Sequence, residues 1–161
     1  MSGMKQVVAL PLVLLLNAVL VSAKVPLTSS EARIKELQKE RGRLEKTTDP
    51  VERAKIGIKI SEILLDNVGD SVRQGDFSQM ETNLTEYAET IQSAHQVLLD
   101  SGRNAAKKPG GFKDLEMALR QHVRKFEDFA RSLNLQRRIP VEQTKDLASG
   151  IRDKLLKALF P

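Results

Sequence analysis

Two stretches of the chain place apolar side chains at alternating steps of three and four residues without a miss. The first runs Phe77, Met80, Leu84, Tyr87, Ile91, Ala94 and Leu98, and the second Phe112, Leu115, Leu119, His122, Phe126, Phe129 and Leu133. That spacing lines up one side of an α-helix, and a seam of such length is buried against a neighbour. Upstream, Val51, Ala54, Ile56, Ile58, Ile60, Ile63, Leu64, Leu65, Val68 and Val72 cover a broader arc. This predicts a central helix that touches two neighbours. No stretch alternates apolar and polar residues for the length of a strand, so no sheet is expected.

Caps and breakers set the boundaries. Thr28-Ser29-Ser30-Glu31 is a capping-box pattern that opens a first helix reaching about Lys46. Ile34, Leu37 and Leu44 form its stripe, but Arg41 falls on the same stripe and Gly42 weakens the helix. Asp49-Pro50 supplies a cap and a first-turn proline for a second helix that ends at Gly75. Asp76 caps the third helix, Phe77 to about Asp100. A basic segment rich in breakers, Gly102 to Gly111, leads to the fourth helix, Phe112 to about Asn134. Ile139-Pro140 is expected to restart the chain into a fifth helix that ends at Phe160. The fold class is all-α: an antiparallel bundle of four to five helices, built around the second to fourth, with the fifth packed on and the first partly detached.

The leading residues have a different character. A short basic start, Met1 to Lys5, precedes an apolar run from Val7 to Val21 and the small-residue end Val21-Ser22-Ala23. This is the layout of a secretory signal peptide cleaved after Ala23. The run is broken by Pro11 and Asn17 and falls short of the ~20 residues of a membrane span. The chain then divides into a signal peptide, residues 1–23, and a single helical-bundle domain, residues 24–161. No cysteine stands at the cleavage site and no twin arginine precedes the run, so a periplasmic or secreted protein is expected. With no cysteine at all, helix packing has to hold the fold.

Charge is uneven. Residues 24–102 carry 11 basic and 14 acidic side chains, a net of −3; residues 103–161 carry 14 and 7, a net of +7. The third helix is acidic (Glu81, Glu86, Glu89), whereas the fourth and fifth leave a basic flank of Arg120, Arg124, Lys125, Arg131, Arg137 and Arg138. Such a flank suits anionic lipid head groups or an acidic partner. Nucleic acid is not expected as a partner, because no groove-reading motif or aromatic platform accompanies the charge.

Candidate chemistry is sparse. The two histidines are His95, beside the seam of the third helix, and His122, on the seam of the fourth. If those helices form a hairpin, opposed residue numbers sum to roughly 210, so that His95 faces the region of Leu115 and His122 that of Ala88. At ~1.5 Å per residue the rings lie ~10 Å apart, too far to share a zinc ion. A partly buried histidine satisfied by a carboxylate is the expected state. There is no cysteine nucleophile, Gly-x-Ser-x-Gly elbow, phosphate loop or His-Glu-x-x-His. Carboxylates fall at surface spacing. The expectation is no enzyme, and no catalytic, cofactor-binding or metal-binding residue. Asn83-Leu84-Thr85 matches a glycosylation sequon but lies on a seam, where coincidence accounts for it. The basic, amphipathic stretch Ile151 to Phe160 reads as the last bundle helix, with an interfacial membrane helix as the alternative.

Two resemblances bear on function. Asp49-Pro50-Val51-Glu52-Arg53-Ala54-Lys55, then Arg73-Gln74-Gly75-Asp76-Phe77 and a helix centred on Tyr87, resembles an extracytoplasmic helical domain of unknown function in bacterial envelope proteins, some of them associated with anti-sigma-factor regions. The likeness spans roughly Glu31 to Leu99 and implies a fold and a compartment. Leu27-Thr28-Ser29-Ser30-Glu31 resembles the Leu-Thr-x-x-Gln motif of small periplasmic chaperones, with glutamate in place of glutamine and a single copy. The expected function is an exported, non-enzymatic interaction module of the bacterial envelope with a protein partner, monomeric or homodimeric. A periplasmic holdase-like chaperone and a peripheral membrane protein that binds an anionic lipid surface are the alternatives.

Overall fold

The structure, a computed structural model, describes residues 29–161; the expected signal peptide, its cleavage site and the Thr28 cap lie outside them. Five α-helices make up the described residues: α1 (Ser29–Lys46), α2 (Pro50–Gln74), α3 (Phe77–Asp100), α4 (Phe112–Ser132) and α5 (Leu135–Leu159). The all-α reading therefore holds. Among the described residues no helix is long and apolar enough to cross a membrane.

The caps explain why α2 and α3 begin where they do. The Asp49 carboxylate accepts the Glu52 backbone N–H at 2.9 Å, with Pro50 in the first turn, and the Asp76 carboxylate accepts that of Gln79 at 3.0 Å. Between them Gly75 sits at φ 71°, the left-handed end that glycine adopts most readily. α4 stops at Ser132, two residues short of expectation. The start of α5 is a correction. Asn134, not the Ile139-Pro140 pair, opens the helix, because its side chain accepts the Arg137 N–H at 3.0 Å. Pro140 then lies inside the helix. The Arg138 guanidinium reinforces this junction by donating to the carbonyls of Ala130 (2.9 Å) and Leu133 (3.2 Å), near the end of α4.

Helices α2 and α3 form one antiparallel hairpin, and α4 and α5 a second. The hairpins lie side by side, so that α2 runs along α4 and α3 along α5, each pair parallel. Gly111 beside Val51 and Phe129 beside Gly69 mark the two ends of the α2–α4 contact. Helices α3 and α4 consequently meet across the diagonal of the bundle rather than as neighbours, and residues 101–111 cross from one hairpin to the other. This corrects the expected α3–α4 hairpin: the facing of His122 and the Ala88 region survives, while His95 turns to α5 instead of Leu115. Helix α2 touches three helices, α1, α3 and α4, which accounts for its broad apolar arc.

Helix α1 is docked along α2, not partly detached. Leu37 is buried and Leu44 packs on the core, and ion pairs flank that line. Glu36 meets Lys59 at 2.8 Å, Arg33 meets Asp70, and Arg41 reaches past α2 to Glu86 on α3. Arg41 thus stands on the apolar stripe because that stripe also faces an acidic neighbour.

Helices α2 and α3 approach closely at Gly57. A Cβ built on Gly57 would stand 3.0 Å from the Ala94 Cβ, whereas one built on Gly42 would meet nothing within 4 Å. Gly57→Val is therefore expected to lower the free energy of unfolding by about 2 kcal/mol through overpacking. Gly42→Ala should raise it by about 0.5–1 kcal/mol through helix propensity. Urea unfolding of both variants checks the pair of signs.

Candidate functional site

The buried polar groups are the natural place to look for chemistry. At the centre of the diagonal the Tyr87 hydroxyl lies 3.0 Å from His122 Nδ1, with both residues fully enclosed. Phe126 packs edge-on against Tyr87 at 5.1 Å between ring centroids, and Phe129 against Phe126 at 6.4 Å. The partner of His122 is thus a phenol and not the expected carboxylate. Its Nε2 is buried and meets no protein partner. Burial, with a smaller contribution from Lys125, depresses the imidazole to a pKa of about 4 against the opposing pull of Asp66. Burial also raises the Tyr87 phenol. The ring is enclosed in the core, edge-on to Tyr87 at 5.6 Å between ring centroids.

Two carboxylates are buried that sequence reasoning assigned to the surface. Glu40 of α1 faces α2, where its Oε2 accepts from Arg43 at 2.7 Å and Lys59 stands 3.8 Å from its Oε1. Glu116 of α4 is held by Arg120, whose Nη2 lies 2.8 and 2.9 Å from its two oxygens. The spacings, three residues for one and four for the other, are those of helix ion pairs, and this was the available signal. Each charge has a cation beside it, and Glu40 Oε1 is left without a hydrogen-bond partner. His95, half-buried, faces an open groove between α3 and α5 lined by Gln92, Leu147, Gly150 and Lys154, and burial together with Lys154 lowers its pKa. Among the described residues no cluster of three or more His, Asp or Glu side chains could hold a metal ion.

The basic flank is largely occupied by internal pairing. Lys125 bonds Asp66 at 3.0 Å and Arg131 meets Asp128 at 3.3 Å. Arg137 lies 4.6 Å above the Phe77 ring and 3.9 Å from Glu81, Arg138 caps α4, and Arg120 holds Glu116. Of the six expected residues, Arg124 has no such engagement.

One group of unpaired cations lies at the end of the bundle where the crossover segment meets α4 and α5. The exposed side chains of Arg103, Lys107, Lys108 and Lys113 make no ion pair among the described residues. Lys113 lines a cleft of about 430 Å³ whose walls come from residues 105–109, α4 and the end of α5, and Lys107 and Lys108 belong to the first of those walls in sequence. The cleft lining is mainly apolar. Met117 remains 48% exposed and Phe160 75%, beside Leu159 and Pro109, and the Glu116–Arg120 pair borders it. Leu135 and Ile139, the other exposed apolar residues of α5, lie at the opposite end of the molecule. The sequence signal for the cleft was the run Lys107-Lys108-Pro109 within the basic segment Gly102 to Gly111.

Comparison with protein-family models, with curated proteins and with solved structures finds no match for this chain.

The state of His122 gives stability a pH dependence. The folded chain takes up this proton only near pH 4, the unfolded chain near 6.5. Between those values the unfolded state binds more protons, so the contribution is intact above pH 6.5 and is lost as pH falls to 4. Its size is about 3 kcal/mol. Urea unfolding at pH 7 and pH 4 should show wild type losing that much more stability than His122→Gln.

Proposed function

We propose that this chain is an exported, non-enzymatic interaction module of the bacterial cell envelope that works by binding a protein partner. The observation that carries the reading is a cleft with mainly apolar walls that is lined by Lys113 and walled by the segment carrying Lys107 and Lys108, cations that make no ion pair among the described residues. A surface of that kind is costly to leave exposed and is suited to a partner that covers both the apolar walls and the charge. In this reading the polar groups of the core serve packing: Tyr87 bonds His122, and Glu40 and Glu116 each pair with a neighbouring arginine. The leader pattern of residues 1–23 supplies the compartment.

The alternatives fare less well on physical grounds. Val141, Ala148, Ile151 and Leu155 of α5 turn their side chains into the core, so an interfacial membrane helix would have to undock to present them. A holdase needs a broad uncovered concavity for unrelated chains, and the cleft is a recess of about 430 Å³.

Crosslinking of the tagged full chain in a cell envelope, read by gel and mass spectrometry, tests the reading. One discrete, saturable adduct is expected. A smear over many unrelated envelope proteins would favour the holdase, and recovery in the cytoplasmic fraction would remove the compartment on which the proposal depends.

A further inference from the structure

The cleft has features specific enough to state what it takes. We infer that the cleft between the crossover segment, α4 and the end of α5 binds an extended or helical peptide segment of the partner that presents an aliphatic or aromatic anchor flanked by carboxylates. The inference rests on the interaction-module reading and narrows it to one site and one ligand chemistry.

Three observations converge on that ligand. First, the walls are mainly apolar and adaptable: Met117, an unbranched thioether that is half exposed, lines the cleft together with Phe160. Methionine accommodates differently shaped anchors, which suits a peptide side chain. Second, the charge around the cleft is positive and uncommitted. Glu116, the carboxylate that borders it, has both oxygens occupied by Arg120, so Lys107, Lys108 and Lys113 are not neutralised from within. Asp114, whose Oδ2 accepts the Gly111 N–H at 3.3 Å, makes no ion pair with these lysines. An acidic segment would replace the missing counter-charge. Third, the site is a recess of about 430 Å³. A bilayer is a broad plane that meets protruding side chains, whereas a recess of this size is filled by a side chain carried on a backbone. These features favour a peptide over an anionic membrane.

Selection of a random 12-residue peptide library on the immobilised full chain tests this, followed by fluorescence polarisation with the enriched peptides. The expected consensus is a Leu, Ile or Phe flanked by Asp or Glu, with binding that weakens steeply as salt is raised. Met117→Glu, an exposed position whose variant folding is checked by circular dichroism, should weaken binding at least tenfold, and so should the charge reversal Lys113→Glu. Gln92→Glu, in the α3–α5 groove, should leave it unchanged. Failure to enrich any peptide, a consensus without carboxylates, or binding that survives both cleft substitutions would overturn the inference. So would flotation of the chain with phosphatidylglycerol vesicles that is abolished by the same two substitutions, in the absence of peptide binding. The broader reading is judged separately. If the envelope adduct forms equally with Met117→Glu, the module stands and the cleft does not; if no discrete adduct forms with wild type, both fail.

Discussion

The arrangement of the two hairpins depends on a polar contact in an apolar place, the Tyr87–His122 hydrogen bond across the diagonal of the bundle. Aliphatic seams such as those of α3 and α4 tolerate sliding, because one leucine replaces another with little loss. A buried phenol and imidazole do not. Moving α4 by one turn against α3 would leave both polar groups without a partner inside the core, at a cost of about 1–3 kcal/mol for each. The contact therefore selects one register among several that hydrophobic burial alone would allow. Phe126 and Phe129 extend the selection by filling the space between the hairpins up to Gly69, whose missing side chain admits the Phe129 ring.

The five helices could be read from the chain because their determinants are local: Asp49-Pro50, Gly75-Asp76 and unbroken three-and-four spacing act within a few residues of where they stand. The start of α5 was misplaced for a reason equally local. Pro140 is the stronger breaker on paper, but Asn134 reaches a backbone N–H three residues on, and the helix runs through the proline. The neighbour relationships were harder to foresee. A segment of about ten residues can close a hairpin or cross a diagonal, and nothing in its composition distinguishes the two. Arg41 illustrates the same limit. It weakens the apolar stripe of α1 in sequence, and its value comes from Glu86, a residue on another helix that no local pattern could connect to it.

The candidate site was less accessible still, because it is defined by what is left over. The net charge of the second half of the chain was evident, but which cations remained free depended on the pairing of the others. Arg120, Lys125, Arg131 and Arg137 find carboxylates at helix or interhelix distances. Lys107, Lys108 and Lys113 belong to the crossover or the first turn that follows it, away from the carboxylates of the interhelical seams. Surface pairs of this kind contribute only about 0–1 kcal/mol each, so their effect on the fold is small while their effect on the field outside the molecule is large.

The crossover has a kinetic side as well. Within each hairpin, contacts close after a short turn, two residues between α2 and α3 and two between α4 and α5. The diagonal contact joins residues 35 apart in sequence. Loop-closure entropy and contact order then set a sequence of events in which the hairpins can assemble independently and dock afterwards. Residues 101–111 act in that process as a tether that raises the concentration of one half around the other. The chain is thus two locally determined halves joined by long-range contacts that form only on docking, and severing the tether would turn the final folding step into an encounter between two molecules.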